Sequence, residues 1–271
     1  MIRSNQIEET VAGVLSAGTE GAEDGLYLVN PSRDAIRGLV AVLTETDAPP
    51  AVRLFAAEGP LKDLAEDFLV ASTVSDLVES GTLSVRTLSE VPTNTLLVSE
   101  SSVVALVESG QRVAALATTD ETFVGETRET YEARWAEAAT FGLRTPARST
   151  VMETLSADIG PDAAADFAAV LDALEAARGN GDGLDEVTIS LLVAARHSEL
   201  LYDISKWGED IGLASKATFS RMKSQLEESG LLDTEKVPID VGRPRLRLLP
   251  GDDIASTDAD ELVATAQEKL A

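Results

Sequence analysis

The first half of the chain alternates between strand-like and helix-like hydrophobic patterns. Continuous apolar runs at residues 26–29 and 52–56 are typical of strands buried on both faces of a sheet. Between them, a stretch that Pro31 opens and Pro49 closes carries apolar residues at helical spacing. This order of elements predicts a sheet that is covered by helices.

The same patterns assign the other elements of this half. Helices are predicted at residues 4–17, 61–68, 69–79 and 123–141. Strands are predicted at residues 83–86, 96–98, 103–107 and 113–116, and residues 108–111 form a hairpin turn between the last two. Residues 1–145 are therefore predicted to form an α/β domain with a mixed sheet flanked by helices. We expect it to act as a sensor or a dimerisation body.

Helical spacing continues beyond the first domain. Residues 146–183 are predicted to be a helical linker region with helices at residues 152–159 and 161–178. The glycine-rich residues 179–183 break the chain, and residues 184–200 have the pattern of a helix that supports the motif after it.

That motif has the spacing of a helix-turn-helix. Ile204 and Trp207 share one face of a short helix, Gly212 begins a tight turn, and Phe219 and Leu226 share the inner face of a second helix. The side chains expected in the core are Trp207, Phe219, Met222 and Leu226.

A β-hairpin is predicted to follow the second helix. Apolar residues alternate at Val237, Ile239 and Val241, residues 242–244 form a turn, and residues 245–248 form the returning strand. A hairpin at this place makes the winged form, so residues 184–250 are predicted to be an α+β winged helix-turn-helix domain. Residues 251–271 are predicted to carry a last amphipathic helix.

Composition limits the class of protein. The 271 residues carry a net charge of −25, yet 44% of them are hydrophobic, so a packed core is expected beneath an acidic surface. Scarce aromatic and lysine residues beside abundant acidic ones suggest the cytoplasm of a halophile. The absence of cysteine excludes disulfides and thiolate metal sites. No apolar run reaches the ~18 residues that a membrane span needs, so no membrane partner is expected.

The basic residues are concentrated in the predicted winged domain. Residues 196–249 contain nine of the 22 basic residues and nine of the 47 acidic ones, which makes this stretch neutral in an acidic chain. We expect double-stranded promoter DNA as the partner, bound by a two-fold dimer of this chain. The residues predicted to face DNA are Lys206, Ser215, Lys216, Thr218, Ser220, Arg221, Lys223, Gln225, Arg243, Arg245 and Arg247.

These residues have different expected roles. If Ser215 caps the second helix, its first backbone amides face a phosphate and the helix enters the major groove. Arg221 is the best candidate for reading a guanine, and Gln225 for an adenine edge or a phosphate. The wing arginines are expected to hold the backbone or the minor groove. In molar salt the Debye length is ~3 Å, so binding must depend on short-range contacts.

Catalytic patterns are weak, and we expect neither an enzyme nor a cofactor. His197 is the only histidine, and its place beside Arg196 on the supporting helix favours a structural role. The sequence has neither a phosphate-binding loop nor a dinucleotide fingerprint. Residues 180–183 resemble a calcium loop only faintly, because its first and last acidic ligands are missing, so no metal is expected.

Two questions stay open in the sequence. An anionic metabolite would need cations near strand ends, and the scarce candidates are Arg33, Arg53 and Arg86, although each also suits a surface ion pair. A winged helix can also dock proteins, and the charge of −25 would repel DNA. The alternative function is therefore a protein-interaction scaffold without specific DNA binding.

The sequence also resembles a known family. Residues 215–222, 226–232 and 242–244 resemble the winged helix-turn-helix of archaeal and bacterial regulators. From residues 20–31 onward, the whole chain resembles the haloarchaeal TbsP-like transcriptional regulators, which implies control of central carbon metabolism genes. The first domain is loosely similar to the phospholipase-D-like effector domain of TrmB-type proteins. A single histidine cannot supply the two His-x-Lys motifs of a phospholipase, so that resemblance implies no hydrolase activity.

Overall fold

The computed structural model divides the chain into two compact units, Met1–Arg144 and Thr145–Ala271. It describes residues 6–20, 22, 24–110, 112–177, 184–238 and 244–271. The predicted chain break at residues 179–183 and Gln111 of the predicted hairpin turn lie outside these ranges. Within the ranges, no helix combines the length and the hydropathy that crossing a bilayer requires.

The first unit is built on a mixed sheet, as predicted, and the sheet has seven strands, one more than the sequence indicated. Its strands are β1 (Gln6–Glu8), β2 (Leu26–Val29), β3 (Val52–Ala56), β4 (Leu83–Thr87), β5 (Thr95–Val98), β6 (Val103–Ser109) and β7 (Arg112–Thr118), in the order β1-β7-β6-β5-β2-β3-β4. The helices are α1 (Val11–Thr19), α2 (Arg33–Glu45), α3 (Glu58–Glu66), α4 (Phe68–Glu79) and α5 (Glu121–Glu137). Strands β2, β3 and β4 are parallel, and the other pairs are antiparallel.

Helices cover the two faces of this sheet unequally. On one face, apolar side chains of α1, α2, α3 and α4 form a large core with the sheet. On the other face, α5 alone packs through Val124, Tyr131 and Trp135 on a smaller cluster that includes Tyr27 and Phe55. One helix is too narrow to shield seven strands at a spacing of ~4.8 Å.

The predicted start of the helix at residues 4–17 is wrong. Gln6–Glu8 forms the edge strand β1, and the helix begins at Val11. The side chain of Thr10 accepts a hydrogen bond from the amide of Gly13 and caps the helix there. Strand β1 instead pairs with β7, where Ile7 lies opposite Ala114.

The helix predicted at residues 123–141 also ends too late. Helix α5 stops at Glu137, because the following residues pair with the edge of β4. The amide of Thr87 donates to the carbonyl of Ala139, and the amide of Phe141 donates to the carbonyl of Val85, both at 3.0 Å. This extension protects an otherwise open strand edge.

The second unit has the predicted α+β winged helix-turn-helix fold. Its elements are α6 (Arg148–Asp158), α7 (Pro161–Ala176), α8 (Glu186–Arg196), α9 (Leu201–Asp210), α10 (Lys216–Glu228), β8 (Leu232–Val237), β9 (Arg245–Pro250) and α11 (Ala259–Leu270). The first wing strand begins at Leu232, five residues before the predicted alternation at Val237. Ile239 and Val241 of that prediction lie outside the described ranges.

The crossing of α9 and α10 is very close. A Cβ atom at Gly208 would lie 2.4 Å from two ring carbons of Phe219, and that ring is fully buried. Beside it, the indole of Trp207 is buried and donates a hydrogen bond of 3.0 Å to the hydroxyl of Thr154 on α6. Glycine at position 208 therefore lets α10 pack directly on α9.

We predict that Gly208→Ala destabilises the second unit. The added methyl group must displace a buried ring, which costs about 1–3 kcal/mol in the free energy of unfolding. Thermal unfolding of the full chain, followed by circular dichroism and tryptophan fluorescence, should show a lower midpoint.

The matched control is Gly125→Ala in α5, where nothing lies within 4 Å of the added carbon. This change should leave stability unchanged or raise it by up to ~1 kcal/mol. Equal melting of the Gly208→Ala variant and the wild type would contradict the close crossing.

Candidate nucleic-acid interface

The outer face of α10 is the candidate reading surface. Ser215 caps the helix, and its hydroxyl accepts a hydrogen bond of 3.2 Å from the amide of Thr218. Phe219 and Leu226 are fully buried, as predicted, which fixes the rotation of the helix. The side chains that consequently point outward are Ala217, Ser220, Arg221, Ser224, Gln225 and Glu228.

Arg221 is the long cation of this outer face. It is exposed and makes no hydrogen bond or ion pair with any residue in the described ranges. Ala217, four residues before it, Ser224, three residues after it, and the adjacent Ser220 are small. Nothing described therefore blocks the approach of a flat surface to its guanidinium group.

Other predicted contacts of the helix-turn-helix are already paired with carboxylates. The ammonium group of Lys216 lies 2.7 Å from a carboxylate oxygen of Glu209, and that of Lys206 lies 2.5 Å from Asp210. A second carboxylate oxygen of Glu209 accepts from the backbone amide of Lys216 at 3.4 Å. Glu209 therefore occupies the place where a DNA phosphate is expected at the start of α10.

Glu209 and Lys216 are both in their charged forms. The hydrogen bond from Lys216 lowers the pKa of Glu209, and the hydrogen bond to Glu209 raises the pKa of Lys216. Both shifts favour the charged forms near neutral pH. The positive charge of Lys216 is neutralised at close range, although both side chains remain nearly half exposed.

Lys223 faces the wing instead of the outer surface. Its side chain is 13% exposed, and its ammonium group lies 2.6 Å from a carboxylate oxygen of Glu227. The other oxygen of Glu227 accepts a hydrogen bond from the hydroxyl of Thr234 on β8. This network ties α10 to the wing and holds Lys223 away from the outer face of α10.

The wing arginines in the described ranges are also engaged. Arg245 lies 4.1 Å above the ring of Tyr202 and 3.4 Å from a carboxylate oxygen of Asp203. Arg247 lies 2.6 Å from Glu235 on the opposing strand. Arg243 of the predicted set lies outside the described ranges.

His197 lies beside charged side chains where the end of α8 meets α7. Its ring nitrogen lies 3.4 Å from a carboxylate oxygen of Asp166 on α7, and the guanidinium group of Arg196 lies 3.2 Å from the same oxygen. The three side chains join the end of α8 to α7. Among the described residues, no group of three or more acidic or histidine side chains could hold a metal ion.

Two of the three candidate effector residues lie at one aromatic cluster. The guanidinium groups of Arg53 and Arg86 lie 5.0 Å from the ring centres of Tyr27 and Trp135, respectively, and these two rings are in edge contact at 5.9 Å. Arg33 lies 3.8 Å from Asp67 instead. An anionic metabolite would have to compete with these partners.

Sequence reasoning missed two features of this unit. The sequence did not indicate that Glu209 would compete with a DNA phosphate, because only the folded turn brings it close to Lys216, seven residues later. A groove of about 1000 Å³ along one flank of α10 was also missed, and Met222 and Gln225, at the edge of the outer face, line it together with side chains of α7, α8 and α11. Met222, which was expected in the core, is therefore only partly buried.

The solved structures that resemble this chain include two remote likenesses. TrmBL2, an archaeal chromatin protein whose structure shows a novel mode of DNA binding, is 13% identical over 51% of this chain and 54% of its own, with a TM-score of 0.37. This chain therefore matches about half of that protein's length. Nuc from Salmonella typhimurium, a phospholipase D family member, is 12% identical over 51% of this chain and 97% of its own, with a TM-score of 0.36. The comparison with curated proteins finds no similar sequence.

Family models match nearly the entire sequence. The N-terminal model of TbsP-like transcriptional regulators matches residues 3–146. The model of the C-terminal helix-turn-helix domain of the same regulators matches residues 147–267. The chain therefore belongs to the family of TbsP-like transcriptional regulators.

Proposed function

We propose that this regulator binds promoter DNA sequence-specifically through the outer face of α10. The observation that carries the proposal is the exposed guanidinium group of Arg221 among the small side chains of Ala217, Ser220 and Ser224. An arginine so placed can donate two hydrogen bonds to the major-groove edge of guanine. Gln225, one turn further along, is the second candidate for a base contact.

The proposal includes a biological setting. The protein acts as a homodimer in the cytoplasm of a halophilic archaeon, responds to a small metabolite and controls central carbon metabolism genes. The acidic composition supports the salt-rich setting, and the family resemblance supports the gene class and the metabolite response. Two-fold symmetry would place the paired recognition helices about 34 Å apart, one turn of DNA.

The ion pairs of the basic residues limit how much the DNA backbone contributes to the binding affinity. Lys206, Lys216, Arg245 and Arg247 each have a carboxylate within 3.4 Å, so a phosphate must displace an internal partner to reach them. Attraction to the DNA backbone is weakened accordingly, and base contacts supply a larger share of the affinity.

The same ion pairs favour one alternative function. A winged domain whose cations are neutralised presents a mixed polar surface, which also suits docking to a protein. In this alternative the chain is an interaction scaffold that does not discriminate between DNA sequences. The free Arg221 favours DNA reading, and the following substitutions distinguish the two functions.

We predict that Arg221→Ala removes sequence discrimination. Loss of one bidentate base contact costs about 1–3 kcal/mol, so the ratio of specific to non-specific affinity should fall roughly 5- to 150-fold. Fluorescence anisotropy with promoter and scrambled fragments in concentrated potassium chloride measures this ratio.

Two controls remove a positive charge elsewhere. Lys236→Ala removes an exposed wing cation without a described partner, and Arg243→Ala removes the wing arginine expected to hold the backbone. Both should weaken all fragments about equally and keep the discrimination. Equal binding of all fragments by the wild type, unchanged in these variants, would favour the scaffold.

We predict that Glu209→Gln strengthens binding to every DNA sequence. Without the carboxylate charge, Lys216 is free to pair with a phosphate. The slope of log affinity against log salt concentration should become steeper by about 0.9. A salt titration of binding measures this slope.

The control for net charge is Glu132→Gln, which removes an exposed carboxylate from α5 in the first unit. This variant should keep the wild-type slope. If both variants have the wild-type slope, Glu209 does not compete with phosphate.

A further inference from the structure

One half of the sheet in the first unit has an apolar face that α5 does not reach. It consists of the outward side chains of β1, β7 and β6, which we call the β1-β7-β6 face. Strand register places Ile7 and Val107 on either side of Ala114, and Leu116 opposite Ala105. Its eight members are Ile7, Ala105, Val107, Ser109, Arg112, Ala114, Leu116 and Thr118.

The large side chains of this face are exposed to an unusual degree. The exposed fractions are 53% for Ile7, 39% for Val107 and 47% for Leu116. Helix α5 packs further along the sheet, over Tyr27 and Phe55. No described element of the first unit lies over the β1-β7-β6 face, whereas four helices cover the opposite side of the sheet.

The size of the face is that of an interaction surface. Strands β6 and β7 have seven residues each and β1 has three, so at ~4.8 Å between strands and ~3.4 Å per residue the face covers roughly 280 Å². Its centre is apolar, and exposed apolar surface on this scale is often functional. A stable dimer buries ~800 Å² on each partner, so this face would form the apolar centre of a larger contact with a polar rim.

The charge of the face favours a second copy of this acidic chain as its occupant. None of its eight side chains is acidic, and Arg112 at one end is its only charged member, although the chain has 47 acidic residues. The carboxylates of the same strands alternate to the other side of the sheet: Glu8 lies against Gly13 of α1, and Glu108 is paired with Val113. Two copies with a charge of −25 each can approach here without opposing carboxylates on the contact.

We propose that the β1-β7-β6 face is the homodimer interface, where the sheets of two copies pack face to face. Such sheets lie ~10 Å apart with interleaved side chains. A two-fold axis through the face would bring Val107 and Leu116 of each copy into the shared apolar centre. The inference names the surface for the homodimer proposed above, and it does not depend on DNA binding.

The test is the oligomeric state of the full chain without DNA. Sedimentation equilibrium in concentrated potassium chloride should show a dimer for the wild type. The double substitution Val107→Glu and Leu116→Glu places two charges from each copy in the contact, so self-association should weaken by about 100-fold or more. The control Val91→Glu, at an exposed loop valine of the same unit, should remain dimeric.

A second measurement is independent of the charge-introducing variant. Because the sequence has no cysteine, Leu116→Cys introduces the only thiol of each chain. A short bifunctional maleimide should link two Leu116→Cys chains rapidly, and it should not link two Val91→Cys chains. The cross-linking experiment tests the interface even if the double glutamate variant does not fold.

Three results would overturn the interface. They are a monomeric wild type at all concentrations, a dimer that survives the double substitution, and equal cross-linking of the two cysteine variants. A dimer that survives the double substitution, with intact sequence-specific DNA binding, rejects this surface alone. A confirmed dimer that does not discriminate between DNA sequences rejects the reading function alone.

Discussion

Electrostatic repulsion is the constraint on which both proposed surfaces depend. A chain with 47 acidic and 22 basic residues repels DNA and repels a second copy of itself. Two features of the protein oppose this repulsion. The recognition helix α10 keeps one unpaired arginine, Arg221, on an outer face of small side chains. The β1-β7-β6 face of the first unit turns its carboxylates to the other side of the sheet.

The reading surface exists because α9 and α10 cross closely. Glycine at position 208 leaves room for the ring of Phe219, and the buried Phe219 and Leu226 set the rotation of α10. That rotation alone decides that Arg221 and Gln225 point outward and that Lys223 points to the wing. Specificity in this account follows from packing in the core, and charge then limits how strongly the DNA backbone contributes.

Sequence reasoning succeeded where spacing within one segment decides the structure. The helical spacing around Phe219 and Leu226 predicted their burial, and apolar runs predicted the central strands β2 and β3. It failed where partners are distant. Ile7 fits a helix face as well as a strand, and only the edge of β7 makes it a strand. Likewise, nothing local tells that Lys216 is paired with Glu209 or that Arg86 lies against Trp135.

Selection of bound sequences from a random DNA pool, in concentrated potassium chloride, tests whether this acidic regulator reads DNA by base contacts from a two-fold pair of recognition helices. We expect enrichment of one motif, an inverted repeat with half-sites one helical turn (~34 Å) apart, containing a guanine that the Arg221→Ala protein no longer selects. A bound pool with no enriched motif would contradict this expectation.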